Sequence, residues 1–367
     1  MDPESAWKRL EPLAAELREA ARAAPLHAAD VAASAERMLD FIRPMVREAG
    51  QELAARLPHL AGRVQERSAE PPALAFPHAP VVLYGNASEA EVISAWEAQL
   101  RMNVEGAAGF TAGDRGRFGE FMMGWVEARP EVLDFFRAEH LRDCLREVNR
   151  LAALLAAPRK TIRVIKKQTL FKDDFTRGFG NWTCYGPGHV ATDGPRLSVA
   201  GAGNTFWLAH DFADAVISLD FTPMTLEGPG AGALFAFPAT PRQGFGFEAS
   251  AGPMEQYNYG INTYHCSLCR GSSGVSNLRR TGRGLRLLSS VRPDPCREPG
   301  RTYHVDFLKH GVTVQVHIDG RLLHSYFDAA TYGAPPTQGR FGVRHFSAQR
   351  LIAYYADVEV CELRVGS

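Results

Sequence analysis

The side chains best suited to chemistry gather between Tyr257 and Arg279. Tyr257-Asn258-Tyr259 leads into residues 261–268, where strand alternation puts Thr263, His265 and Ser267 on one face and Tyr264, Cys266 and Leu268 on the other. The same sorting sets Asn277 and Arg279 opposite Leu278, Gln315 and His317 opposite their valine neighbours, and Arg344 opposite Val343 and His345. Aromatic faces suit the C–H surfaces of sugars, while amide, guanidinium and imidazole groups suit their hydroxyls. If these strands are neighbours, the set predicts a saccharide site on one concave sheet. The ligand-contacting residues would be Trp182, Tyr257, Asn258, Asn262, Arg270, Asn277, Gln315 and His345.

Two kinds of turnover can be weighed on this set. A uronate lyase needs a cation on the sugar carboxylate together with a base and an acid; His265 as base, Tyr259 as acid and Arg279 or Arg344 as clamp supply all three. A glycoside hydrolase needs two carboxyl groups flanking the bond. No run of the Glu-x-Asp-x-x-Glu kind occurs, and Glu248, Glu255, Asp306, Asp319 and Asp328 stand apart in sequence. Asp319-Gly320 is better read as a hairpin turn. The outer-face polar residues equally suit a solvated antiparallel strand, so binding without turnover, or a scaffold for protein interaction, stays open beside catalysis.

Other chemistries find less support. The six cysteines are too irregular for a disulfide framework, and Cys266-Ser-Leu-Cys269 has half a zinc spacing with no second pair. Histidines 304, 310, 317 and 324 show no ligand spacing, so no metal or cofactor is expected, apart from a structural calcium that Asp173, Asp174 and Asp357 could hold near the sandwich termini. Lys+Arg 41 balances Asp+Glu 41, which argues against a nucleic-acid backbone binder. The opening Met1-Asp2-Pro3-Glu4-Ser5 has no apolar stretch of a secretory signal, and no run approaches membrane-spanning length. The expectation is a soluble cytoplasmic protein that binds neither nucleic acid nor membrane.

The elements that would position these groups come in two styles. Up to about residue 160, apolar residues recur at helical spacing: Trp7, Leu10, Leu13 and Leu17; then Val31, Met38, Phe41 and Met45; later Phe118, Phe121, Met122 and Trp125, and a further helix from Pro130. Ser88-Glu89-Ala90-Glu91 is a capping box opening a helix with Val92, Trp96 and Leu100. A Pro-rich strap or linker covers about 68–84. From about 161 the period becomes 2, clearest where Tyr303, Val305 and Phe307, then Val312, Val314, Val316 and Ile318, alternate with polar neighbours. This predicts an α + β protein with segregated domains: a helical bundle over 1–160, free to mediate oligomerisation or partner binding, and an antiparallel β-sandwich over 161–367.

The ordered series Phe171-Lys-Asp-Asp-Phe175, Trp182, Ile261-Asn-Thr-Tyr-His265, Asn277-Leu-Arg279, Ile318-Asp-Gly320, Asp328 and Phe341-Gly-Val-Arg344 resembles the YesU-like family of bacterial proteins, a domain of unknown function. The resemblance spans roughly 170–365. It implies a concanavalin A-like lectin/glucanase jelly roll and a carbohydrate-facing role in glycan utilisation, with a pectic or uronate-containing oligosaccharide as ligand. The chain departs from the family at Cys266 and at Leu268-Cys269, where larger aromatic residues are expected before Arg270.

Overall fold

A computed structural model of the chain describes residues 79–108, 158–201, 203–226, 232–270, 274–282, 285–330, 332–345 and 351–366. The helices expected before residue 58, over 118–125 and from Pro130, and with them the expected bundle, lie outside these residues. The capping box is present: the Ser88 backbone N–H donates to Glu91 Oε2 (2.7 Å) and the Glu91 N–H to Ser88 Oγ (3.3 Å), opening α1 (Glu89–Ala108). The described end of the expected strap or linker is strand β1 (Ala79–Tyr84). A proline near the start of an edge strand leaves its pairing intact, so Pro80 ends helical periodicity without ruling out a sheet.

The strands then run β2 (Arg159–Asp173), β3 (Trp182–Tyr185), β4 (His189–Thr192), β5 (Leu197–Ala200), β6 (Thr205–Leu208), β7 (Ala215–Leu226) and β8 (Ala233–Pro241). A 3-10 turn (Phe247–Ala251) and helix α2 (Met254–Gly260) interrupt them. After these come β9 (Ile261–Asn262), β10 (Tyr264–Leu268), β11 (Ser276–Arg280), β12 (Arg286–Val291), β13 (Tyr303–His310), β14 (Thr313–Ile318), β15 (Arg321–Phe327), β16 (Arg340–His345) and β17 (Leu351–Val365). The Asp319-Gly320 turn has φ 51° and 74°, the conformation a two-residue hairpin requires.

Among the described residues these strands make two antiparallel sheets. The first is ordered β1-β2-β17-β7-β13-β14-β15, with β5 on β17 and β4 on β5; the second is ordered β12-β11-β10-β8-β16-β6-β3, with β9 on β8. Aromatic residues fill the space between them. Phe221 on β7 meets Phe235 on β8 edge-on at 5.3 Å, Tyr355 on β17 meets Phe206 on β6 at 4.9 Å, and Phe307 on β13 meets Phe237 on β8 at 6.3 Å. The architecture is an antiparallel β-sandwich. The chain divides into two compact units. The sandwich unit holds Val81–Ala95, Thr161–Asp328 and Pro335–Ser367; the other includes α1 from Trp96 onward. No helix among the described residues is long and apolar enough to cross a membrane.

Candidate functional site

The site is built on the outer face of the second sheet, away from the aromatic core. On β10, Tyr264, Cys266 and Leu268 turn inward as their alternation predicts, and His265 and Ser267 turn outward. His265 lies directly opposite Arg279 on β11 and Ala236 on β8, and Ala236 in turn opposes Gly342 on β16. Two residues along β16, Arg344 shares that outer face. Period-2 sorting therefore brings His265, Asn277, Arg279 and Arg344 together.

Most of this face is not open to water, because residues 247–260 lie across it. Trp207, Leu234, Ala236 and Ala239 from the sheet form one apolar cluster with Ala249 and Tyr257 from the covering segment and Ile261 on β9. Trp207 Nε1 donates to Ser250 Oγ (2.8 Å), and Arg344 Nη2 donates to the Gly252 carbonyl (2.9 Å). Gly342 gives the Trp207 indole its room. A Cβ there would sit 2.5 Å from Trp207 Cδ2, 2.7 Å from Cζ3 and closer still to Cε3.

His265 is 1% exposed, and its Nδ1 contacts the Tyr257 hydroxyl at 3.1 Å. Burial first, and then the charges of Arg279, Arg344 and Arg270, hold its pKa well below the usual histidine range, so the imidazole is neutral. Burial likewise raises the Tyr257 phenol. Asn277 sits between the arginines. With Nδ2 donating to Ser290 Oγ (2.8 Å), its Oδ1 accepts from Arg279 Nη2 (2.9 Å) and Arg270 Nη1 (3.0 Å). Arg344 stacks over the Tyr257 ring at 5.3 Å, and its Nε and Nη1 are buried without acceptors. Burial and the Arg270 charge bring Arg279 down to about 9, and burial brings Arg344 down to about 10.

Three of the expected residues, Trp182, Gln315 and His345, lie away from this face. The tyrosine against His265 is Tyr257. Tyr259, assigned as the acid, is half-buried, and its carbonyl accepts from Arg242 Nη1 (3.3 Å). Asn262 is half-buried on β9 against Gly282, and Asn258 is fully buried with neither amide atom hydrogen-bonded. Trp182 is no sugar platform: it lies in the core against Phe175, Phe206 and Phe341, and its Nε1 donates to Asp173 Oδ2 (2.9 Å). Gln315 belongs to the first sheet, on β14, and donates to the Val82 carbonyl (2.7 Å). Its alternation is as expected and its sheet is not. His345 points into the core, where Nε2 meets the Tyr355 hydroxyl at 2.7 Å and burial lowers its pKa to about 3.

Asp173 accepts from the Phe175 backbone (2.8 Å) as well as Trp182, Asp174 accepts from the Thr176 backbone (3.0 Å) and hydroxyl (2.6 Å), and Asp357 occupies a positive-φ position in β17. No group of three or more potential metal ligands occurs among the described residues.

One group that sequence reasoning passes over is the covering segment itself. Helix α2 spans 7 residues, under two turns, which is too short to leave a helical periodicity. A second is a buried ion pair on the core side of β11. Arg280 Nη1 meets Asp328 Oδ2 at 2.7 Å, and the Tyr264 hydroxyl donates to the same carboxylate oxygen.

Among known families, one described as a domain of unknown function (DUF1961) matches residues 169–360. No curated protein matches the chain. Solved structures similar to it include a Bacillus subtilis protein of unknown function with a galectin-like fold, at 25% identity over 55% of this chain and 100% of that one, with TM-score 0.48. A Bacillus subtilis carbohydrate-binding module, CBM66, is similar at 18% identity over 50% of this chain and 96% of that one, with TM-score 0.36. A Bacillus licheniformis β-glucanase is similar at 11% identity over 54% and 100%, with TM-score 0.38.

Proposed function

We propose, since this chain belongs to the family described as a domain of unknown function (DUF1961), that its sandwich is a lectin-like module binding an oligosaccharide on the outer face of the second sheet. The observation that carries the reading is that half-buried Arg270 and Arg279 stand on that face, held by the amide oxygen of buried Asn277 and backed by buried His265, and guanidinium donors suit sugar hydroxyls. Half-buried Tyr259 and Asn262 belong to the segment and strand that border it. The YesU-like resemblance of residues 170–365 points the same way, toward glycan utilisation.

Binding without turnover fits this geometry better than lyase chemistry. A general base has to come within hydrogen-bond reach of the proton it removes. His265 is 1% exposed, with the Tyr257 hydroxyl on its Nδ1. The pair acts as a rigid floor beneath the arginines.

Calorimetry of the full chain against a panel of neutral and uronate-containing oligosaccharides tests the reading, with product length and ultraviolet absorbance followed in parallel. Heat with unchanged chain length is expected. Unsaturated or shortened products would replace the binding reading with a catalytic one, and no heat across the panel from folded protein would overturn it.

A further inference from the structure

Resting on that saccharide reading, we propose that residues 247–260 are a wall ending the sugar face at β10, so that the site takes the terminal rings of a glycan entering over the β12 rim and excludes internal stretches of a chain. Seven strands about 4.8 Å apart make an outer face roughly 29 Å across, wide enough for an extended oligosaccharide. One row of cross-strand partners measures how much of it is open. Trp207 on β6 opposes Gly342 on β16, Gly342 opposes Ala236 on β8, Ala236 opposes His265 on β10, and His265 opposes Arg279 on β11. The first four of these are buried. Arg279 is half-buried, and on β12 Leu287, its partner, is half-buried while Ser290 is exposed. The open strip is therefore the two strands at the rim, about 10 Å of the face.

The wall is fixed along its length, which distinguishes it from a hinged cover. Near its start, Ser250 Oγ lies 2.8 Å from Trp207 Nε1 and 2.9 Å from Thr205 Oγ1. In its middle, the Gly252 carbonyl accepts from Arg344 Nη2 (2.9 Å), and the fully buried Tyr257 places its hydroxyl 3.1 Å from His265 Nδ1. At its end, the Asn258 carbonyl accepts from the Gly282 N–H (2.7 Å) and the Gly260 carbonyl from the Arg242 N–H (2.8 Å). Gly282 stands two residues past β11, so the first of these bonds plants the wall against the strand that carries Arg279. A chain laid across the whole sheet would have to expel Tyr257 from its apolar cluster and break these bonds. A chain end resting on β11 and β12 breaks none of them. The strip offers it Arg279 and Ser290 for hydroxyls and Leu287 for a ring face, with room for the last ring or two.

Calorimetry of the full chain against glucose and galacturonate oligomers of one to six units tests the wall. Any series that binds is expected to reach its full affinity by the disaccharide, with the hexasaccharide within about threefold of it. Ser290→Trp puts bulk on the exposed rim and is expected to weaken disaccharide and hexasaccharide by the same factor, tenfold or more; if that variant fails to fold, the length series on the parent decides alone. Affinity climbing tenfold or more from two units to six would overturn the wall and leave the saccharide reading in place. So would a folded Ser290→Trp protein that binds both lengths as the parent does. Folded parent protein giving no heat with any oligomer of either series would overturn the saccharide reading, and the wall's role with it.

Discussion

Replacing Gly342 with alanine tests whether the covering segment is held by the fit of Trp207 against the sheet. The new Cβ would lie 2.5 Å from Trp207 Cδ2 and 2.7 Å from Cζ3, against the roughly 3.5–4.0 Å of a relaxed carbon contact. The indole has to give by an ångström or more. It is fully buried, flanked by Phe247 at 4.9 Å and tied to Ser250. Overpacking of this kind costs about 1–3 kcal/mol, and loss of a buried hydrogen bond about 1–3 kcal/mol, so about 2–6 kcal/mol is expected together. At a urea m-value of about 2 kcal/mol per M, the unfolding midpoint should fall by about 1–3 M with little change in slope. Gly180→Ala is the control, since nothing lies within 4 Å of a Cβ there; it should stay within about 0.5 kcal/mol of the parent. If Gly342→Ala behaves like Gly180→Ala, the packing argument is wrong, because Trp207 can then yield freely.

Three further outcomes follow from the same contacts. Asp328→Ala leaves Arg280 buried without its counter-charge and should cost about 3–5 kcal/mol in chemical denaturation, whereas the joint change Asp328→Leu with Arg280→Met should cost clearly less. His304 lies 2.9 Å from Asp220 and 3.6 Å from Asp306; their hydrogen bonds and charges raise its pKa to about 9. A raised folded-state value stabilises below the unfolded pKa and ceases to as pH climbs through the folded one. His304→Gln should therefore be less stable than the parent at pH 6 and converge with it near pH 10, a gap that stays constant with pH being the refuting result. Ser88→Ala removes the hydroxyl half of the cap of α1, leaving the backbone bond to Glu91, and should lower stability by about 1 kcal/mol, read by circular dichroism during denaturation.

Strand alternation makes the site's facing legible, and β10, β11 and β16 present their outward residues as the pattern requires. Period 2 says which side of a strand a residue occupies, but it carries no information about which of two sheets the strand joins. Gln315 falls into the wrong group for that reason. Trp182 and His345 fail differently. Each has a polar atom that could greet a ligand, yet each spends it on an internal partner: Asp173, nine residues before Trp182, and Tyr355, ten after His345. Such pairings are set by tertiary approach and leave no local trace. The covering segment is visible only as a dense run, Tyr257-Asn258-Tyr259, whose burial depends on a fold the run itself does not encode.

The family-matched segment starts at residue 169, partway along β2, yet the first sheet is finished from outside it. Val82 and Tyr84 on β1 shield Val216, Leu308, Cys361 and Leu363, and Gln315 fastens the Val82 carbonyl. A fragment cut at the family boundary would uncover this greasy strip and bare one rim of the sheet, inviting copies to zip together through their backbones. Soluble material for crystallisation or calorimetry should be cloned from before Ala79, even though the stretch that identifies the protein begins some ninety residues later.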